Sequence, residues 1–199
     1  MPEIDLPESF SDGHIALRRL RSEDSWRYCV AFRDDPELGA KLGMETDPTD
    51  AWFQQQVAQT ESRRRAGTSV ELAIVDSDPD ADEFFGAVVL HSVQWHHRRA
   101  EVSVWVAPAA RRAGIARQAL SLILDLAFDK LELARIEMTT TPDNHAALAF
   151  ADRLHFEREG VMRARNLERE SRVDLVVLGL LREEWKTRRR GFTGSGLLA

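Results

Sequence analysis

The chain has 199 residues and a formal net charge of −6, with 43% hydrophobic and 30% charged residues. This length fits one domain with tails, and the negative charge argues against nucleic acid as the main partner. No apolar run approaches the ~18 residues that a membrane span needs, and the first residues do not form a basic and apolar leader. The single cysteine, Cys29, excludes an internal disulfide and a cysteine-based zinc site. We therefore expect a cytoplasmic protein without a membrane partner.

The first half of the chain predicts a flexible N-terminal arm, a strand, two helices and two further strands. The arm covers residues 1–12, which are polar and contain proline. Strands are predicted from alternating apolar residues and β-branched runs, and helix starts from serine, threonine or aspartate at the N-cap. The predicted elements are, in order, a strand over 14–20, a helix from Ser22, a loop over 33–48, a helix from Thr49 or Asp50 to Arg65, and strands over 70–75 and 84–95.

The second half predicts a strand, a helix, a strand, a helix and two strands. Their ranges are 101–106, 112–128, 134–140, 144–154, 156–162 and 173–181, followed by a basic, then Gly/Ser-rich C-terminal tail over 186–199. The strand–helix–strand run from 101 to 140 predicts a parallel pair with a right-handed crossover. The flanking hairpins predict antiparallel neighbours. The sequence therefore favours a mixed α/β fold.

A turn with small residues joins the strand over 101–106 to the following helix. It has the pattern Arg-x-x-Gly-x-Ala, and the residues that we select as ligand contacts are Arg111, Arg112, Ala113, Gly114, Ile115, Ala116 and Arg117. The first amides of a helix have no partner within the helix and carry partial positive charge, so this turn is a candidate anion site. It lacks the Gly-Lys-Ser/Thr of a Walker A loop and the dinucleotide Gly-x-Gly-x-x-Gly. The alternative is an ordinary turn with surface arginines.

The turn resembles the acetyl-CoA pyrophosphate loop of the GNAT superfamily of N-acetyltransferases, and most closely the ribosomal-protein N-terminal acetyltransferases of RimJ/RimL type. Four further blocks in the family's order carry the resemblance. They are Leu17-Arg18-Arg19-Leu20-Arg21-Ser22-Glu23-Asp24; Ala100-Glu101-Val102-Ser103-Val104-Trp105-Val106-Ala107-Pro108; Asn144-His145-Ala146-Ala147 with Leu154-His155-Phe156; and Asp174 with Leu181 to Glu184-Trp185.

The resemblance implies a GNAT acetyltransferase domain over residues 13–185. Its fold would be a central, mostly antiparallel twisted sheet with one splayed parallel pair and helices on both faces. Acetyl-CoA would be the cosubstrate, and no metal would be needed. The backbone of Val104, Trp105 and Val106 would pair with the pantetheine arm, and Asn144 would contact the cofactor. Core packing of the strand side chains and a plain helix cap at Asn144 are the alternatives.

Glu101 is the candidate catalytic base. An attacking amine must lose a proton, and a carboxylate can take it directly or through a water. The alternative is an exposed strand-end glutamate that pairs with Arg99 or Arg135. A general acid is not visible, because this chain has Ala147 where relatives have a serine that can protonate the leaving thiolate. Val104 and His155 are further departures from the family pattern, and Tyr28, the single tyrosine, lies far upstream.

Other polar clusters point to no separate chemistry. His91, His96 and His97 have a spacing that fits no standard metal site. The arginine runs at 63–65 and 188–190 are expected to be solvated helix and tail ends.

The sequence therefore predicts an acetyl-CoA-dependent N-acetyltransferase that acts through a ternary complex on a primary amine, a protein or peptide N-terminus. A small-molecule amine acetyltransferase and a non-catalytic CoA-binding module are the alternatives. Six acids within 33–50 favour a cationic acceptor, if this loop lines the acceptor entrance; they are Asp34, Asp35, Glu37, Glu45, Asp47 and Asp50. A solvated acidic loop is the other interpretation. The oligomeric state, including a homodimer, is left open.

Overall fold

The computed structural model describes residues 2–42, 44, 46–81, 83–168 and 170–193. Within these ranges the strands are β1 (Ser9–Ser11), β2 (Ile15–Arg19), β3 (Val70–Asp76), β4 (Phe84–Gln94), β5 (Arg99–Val106), β6 (Arg135–Thr140), β7 (Glu157–Glu168) and β8 (Ser171–Leu181). The α-helices are α1 (Ser25–Arg33), α2 (Pro36–Lys41), α3 (Asp50–Arg65), α4 (Ile115–Asp125), α5 (His145–Arg153) and α6 (Arg182–Thr193). A π-helical turn, Leu126–Lys130, follows α4.

Hydrogen bonds connect the strands in the orders β1-β2-β3-β4-β5 and β5-β6-β8-β7. The pairs β1–β2, β2–β3, β3–β4, β6–β8 and β7–β8 are antiparallel, whereas β5 and β6 are parallel. The predicted mixed α/β class, with a mostly antiparallel sheet and one parallel pair, is confirmed.

The chain divides into two compact units. The first unit comprises residues 1–93 and 102–125, and the second comprises 94–101 and 126–199. One core of the first unit is a hydrophobic cluster that includes side chains of α1 and α3. It consists of Leu20, Tyr28, Ala31, Phe32, Leu38, Phe53, Ala73, Ala87 and Trp105. The second unit buries apolar residues of β6 and β8, including Ile136, Val176, Leu178 and Leu180. Strand β3 buries consecutive residues, Leu72, Ala73 and Ile74, so both of its faces are covered.

Gly86 lies where β4 and β5 approach closely within the first unit. A Cβ at this position would contact the Trp105 carbonyl oxygen and lie 2.9 Å from the Val106 Cα. The register of β3 against β4 also shifts here, between Ile74 and Val75. Strand β4 therefore has a bulge at Gly86, and only glycine fits there without displacing β5.

The chain termini and one loop differ from the expectations. Ile4 is fully buried and β1 pairs with β2, so part of the predicted arm packs onto the first unit. The predicted 33–48 loop contains α2. Helix α6 extends into the predicted tail, and Glu183 and Glu184 lie in its first turn, where acidic side chains favour a helix start. Met1, Glu45 and residues 194–199 lie outside the described residues.

Candidate acetyl-CoA site

A short turn redirects the chain from β5 into α4. Pro108–Ala110 form a 3₁₀ turn after β5, and α4 begins at Ile115. Between them, Arg112 and Gly114 have φ values of 69° and 80°. Glycine adopts this left-handed region at little cost, which explains the glycine immediately before the helix. Helix α4 therefore begins three residues later than the apolar pattern predicted.

The turn presents a series of unpaired amides. Within the described ranges, the N–H groups of residues 112–116 donate to no backbone carbonyl. A Cβ added to Gly114 would meet no atom within 4 Å, so the space beside these amides is open. Unpaired amides at a helix N-terminus, with open space before them, suit a phosphate group. These residues can hold the pyrophosphate of a nucleotide cofactor.

Arg111 has a partner that its sequence position did not reveal. Its Nη2 lies 2.5 Å from a carboxylate oxygen of Asp35, and its Nε donates to the Val106 carbonyl at 3.0 Å. The guanidinium thus ties the turn to β5 and to the segment before α2. Arg112 and Arg117 are exposed and supply positive charge around the turn.

At the end of β5, the Trp105 side chain packs in the core, and one backbone carbonyl already accepts a hydrogen bond from a side chain. The Trp105 ring is 6% exposed and lies 5.1 Å from the Tyr28 ring and 5.3 Å from the Phe32 ring, measured between centroids. The Val106 carbonyl already accepts a hydrogen bond from Arg111. The peptide groups of Val104 are therefore better candidates for a pantetheine arm than the Val106 carbonyl.

In the second unit, the parallel pairing of β5 and β6 ends at the candidate base. The paired residues are Arg99 with Arg135, Ala100 with Ile136, and Glu101 with Glu137. Glu101 is half-buried, and no side chain in the described part of the chain forms an ion pair with it. Its carboxylate is consequently available to a ligand.

Both arginines proposed as structural partners of Glu101 bind Glu137 instead. Arg99 Nη1 and Arg135 Nε lie 2.9 and 2.8 Å from the Glu137 carboxylate. The alternative in which Glu101 pairs with these arginines is therefore wrong. Burial would raise the pKa of Glu137, but the hydrogen bonds from Arg135 and Arg99 outweigh it and hold that pKa below its usual value.

Asn144 caps α5 in the second unit. Its side-chain oxygen accepts a hydrogen bond from the Ala147 N–H at 3.1 Å. This geometry satisfies one unpaired amide of the helix, as the capping alternative expected. The side-chain nitrogen Nδ2 of Asn144 has no protein partner among the described residues, so a cofactor contact stays a prediction.

Sequence reasoning did not select buried Tyr28 or half-buried Glu71, two ionisable residues of the first unit. Tyr28 stacks on Phe32, an i, i+4 pair on α1 that the helical pattern could have indicated. Burial, followed by the charges of Glu71 and Cys29, raises the pKa of Tyr28 well above its usual value. Glu71 gave no signal, because a lone glutamate in a strand is usually solvated.

Two acids of the acidic loop have hydrogen-bond partners in their own unit. Asp35 binds Arg111, and Asp50 accepts a hydrogen bond from Ser25 Oγ. Asp34, Glu37 and Asp47 are exposed. The candidate acidic entrance is therefore smaller than the sequence suggested.

A family model described as "Acetyltransferase (GNAT) domain" matches residues 14–157. The chain belongs to the GNAT acetyltransferase family. It is 26% identical over 176 residues to a protein of Bacillus subtilis (strain 168) named "Putative ribosomal N-acetyltransferase YdaF", covering 87% of this chain and 94% of that protein. The predicted resemblance to GNAT enzymes of the ribosomal-protein type is confirmed, and the chain is an acyltransferase.

Two solved structures show the same fold. RimJ of Mycobacterium smegmatis in complex with CoA-disulfide has a TM-score of 0.80 at 22% identity, covering 90% of this GNAT chain and 89% of RimJ. Spermidine N-acetyltransferase of Vibrio cholerae, in complex with CoA and spermine, has a TM-score of 0.76 at 18% identity, covering 88% and 99%. None of the described helices of this chain is long and apolar enough to cross a membrane.

Proposed function

We propose that this GNAT protein transfers an acetyl group from acetyl-CoA to the primary amine of a protein or peptide N-terminus. The observation that carries the proposal is the series of unpaired amides at residues 112–116 beside the open space at Gly114. These amides would hold the pyrophosphate, while Arg112 and Arg117 add positive charge. Val104 and Asn144 would provide backbone and amide contacts to the rest of the cofactor.

Glu101 would accept the proton that the amine loses as it attacks. Acetyl-CoA supplies an acetyl thioester, which a neutral amine can attack directly, without a covalent acetyl-enzyme intermediate. The free, half-buried carboxylate of Glu101 suits a proton acceptor, directly or through a water. Glu137, held by two arginines, is the structural carboxylate beside it.

Gly114→Glu should abolish CoA binding while the protein remains folded. The new carboxylate would occupy and repel the phosphate position. Gly13→Glu is a matched control, because Gly13 also has a positive φ, of 93°, and open space at its Cβ. Both variants carry the same backbone strain of roughly 1–2 kcal/mol. Calorimetric titration with CoA measures the effect, and unchanged affinity in folded Gly114→Glu would refute the site.

Glu101→Gln should lower kcat by roughly 10²–10⁴-fold with little change in acetyl-CoA affinity, the usual scale for a lost general base. The rate should partly recover at high pH, where the amine loses its proton unaided. Exposed Glu157 in the same unit gives the control variant Glu157→Gln. Wild-type turnover of Glu101→Gln at pH 7 would show that another group takes the proton.

A polyamine is the second candidate acceptor. The exposed acids Asp34, Glu37 and Asp47 and the likeness to a spermidine N-acetyltransferase favour a cationic substrate. Asp35 is unsuitable for testing this idea, because its loss would release Arg111 and disturb the cofactor turn.

An acceptor panel with thiol-release detection separates the candidates. Peptides with free N-termini should react with a higher kcat/KM than spermidine if the first proposal holds, and the reverse order favours the polyamine. A cationic acceptor should react more slowly as the salt concentration rises to physiological strength, because salt screens exposed charges. The double variant Asp34→Asn with Glu37→Gln should raise the KM for the acceptor and leave the KM for acetyl-CoA unchanged. If the protein binds CoA but no amine in the panel causes release of the CoA thiol from acetyl-CoA, the non-catalytic alternative is favoured.

A further inference from the structure

A cavity of about 420 Å³ lies within the first unit, apart from the turn before α4. It is bounded by the end of β2, the C-terminal half of α3 and the start of β3. Three apolar side chains, Leu20, Val57 and Val70, line it together with charged residues of both signs. Its size suits a small organic molecule rather than a single ion.

Glu71 provides an unpaired carboxyl group in this cavity. It is half-buried on β3, and no hydrogen bond or ion pair reaches it from the described residues. Burial raises its pKa to about 7, and the charge of Arg63 opposes that rise only in part. A partly buried carboxylate without a donor is unfavourable, so a ligand that brought an ammonium group would stabilise it.

Arg19 and Arg21 provide the opposite charge in the cavity wall. Their side chains are 51% and 56% exposed, and their nearest carboxylates, Glu61 and Glu8, lie 3.9 and 4.0 Å away. These are the limiting distances of an ion pair. Arg64, by contrast, bonds to Glu61 at 2.9 Å. Arg19 and Arg21 can therefore turn toward an anionic group without breaking a close ion pair.

We infer that this cavity binds a small zwitterion, with its ammonium group at Glu71 and its carboxylate at Arg19 and Arg21. An apolar chain between the two charges would lie along Leu20 and Val57. A simple anion would leave Glu71 unpaired, and a simple cation would face the two arginines. Only a molecule with both charges satisfies both parts of the wall.

Calorimetry without acetyl-CoA, using three probes of similar size, tests this inference independently of catalysis. The probes are 6-aminohexanoate, hexylamine and hexanoate. We expect 6-aminohexanoate to bind at least about tenfold more tightly than either single-charge probe. Equal or tighter binding of hexanoate or hexylamine would overturn the inference, as would no binding of 6-aminohexanoate at about 10 mM.

Substitutions of the cavity residues test which side chains contact each charged end of 6-aminohexanoate. Glu71→Gln and the double variant Arg19→Gln with Arg21→Gln should each weaken 6-aminohexanoate binding about fivefold or more. The controls Glu83→Gln and Arg33→Gln change exposed charges of the same unit outside the cavity and should have no effect. Circular dichroism confirms folding of each variant. Unchanged affinity in folded Glu71→Gln, or equal losses in the controls, would overturn the assignment.

Discussion

Glu61 and Glu71 line the same cavity of the first unit, yet their carboxyl groups behave in opposite ways. Hydrogen bonds from Arg64, with a further contribution from Arg65, hold the pKa of Glu61 at about 2 against the effect of burial. Glu71 has no such donor, and burial raises its pKa to about 7. The difference teaches that the available donors, rather than membership of the cavity, decide the protonation state of each glutamate.

The arginine that separates the two cases is Arg64. It is 7% exposed, so the expectation of a solvated arginine run at 63–65 is wrong for this residue. Arg64 also binds Glu3 at 2.8 Å and the Ile4 carbonyl at 2.6 Å. Arg64 therefore fixes both Glu61 and the N-terminal segment. Glu71 lies on β3, the strand that follows α3 in the chain. The one positive charge that lowers its pKa is that of Arg63.

Arg64→Met should have the largest effect, lowering the free energy of unfolding by about 3 kcal/mol at pH 7. It removes the donor of a largely buried ion pair and leaves the Ile4 carbonyl without its partner. Arg65→Met is the control, because Arg65 also binds Glu61 but is 69% exposed, and it should cost less than about 1 kcal/mol. Urea denaturation measures both, and equal losses would contradict the distinction.

Glu71→Gln should stabilise the protein at pH 8.5 but not at pH 5. A folded pKa of about 7, above an unfolded value near 4.5, means that ionisation of Glu71 opposes folding increasingly as pH rises. We expect the variant to gain about 2 kcal/mol relative to wild type between these pH values, allowing for partial solvent access. A pH-independent difference in urea denaturation would show that Glu71 is solvated.

Glu61→Gln should have the smallest effect and the opposite sign, a loss of about 1 kcal/mol at pH 7. Arg64 would keep its bonds to Glu3 and Ile4. Because the folded pKa of Glu61 is lowered, its contribution is complete above about pH 4.5 and is lost as pH falls toward 2. The difference from wild type should more than halve between pH 5.5 and pH 3. A difference that grows on acidification would refute this account.

The sequence allowed much of the fold to be predicted, because local patterns carry it. Thr49 accepts a hydrogen bond from the Trp52 N–H and starts α3 at Asp50, as expected. The alternation of apolar residues was sufficient to predict strand β2, and Gly114 was sufficient to predict the turn before α4. Helix α2 and strand β1 were missed, since elements of six and three residues have too little periodicity to detect.

Local sequence patterns were enough to predict the family, the parallel pair and the turn at residues 111–116, because these depend on neighbouring residues and backbone preferences. Which charges form pairs, in contrast, depends on the packing of distant segments. Arg111 binds Asp35, 76 positions away, and Arg99 and Arg135 bind Glu137 rather than Glu101. Such pairs form where strand order and register bring distant residues together, and burial, which depends on the same packing, then shifts the pKa of groups such as Glu71.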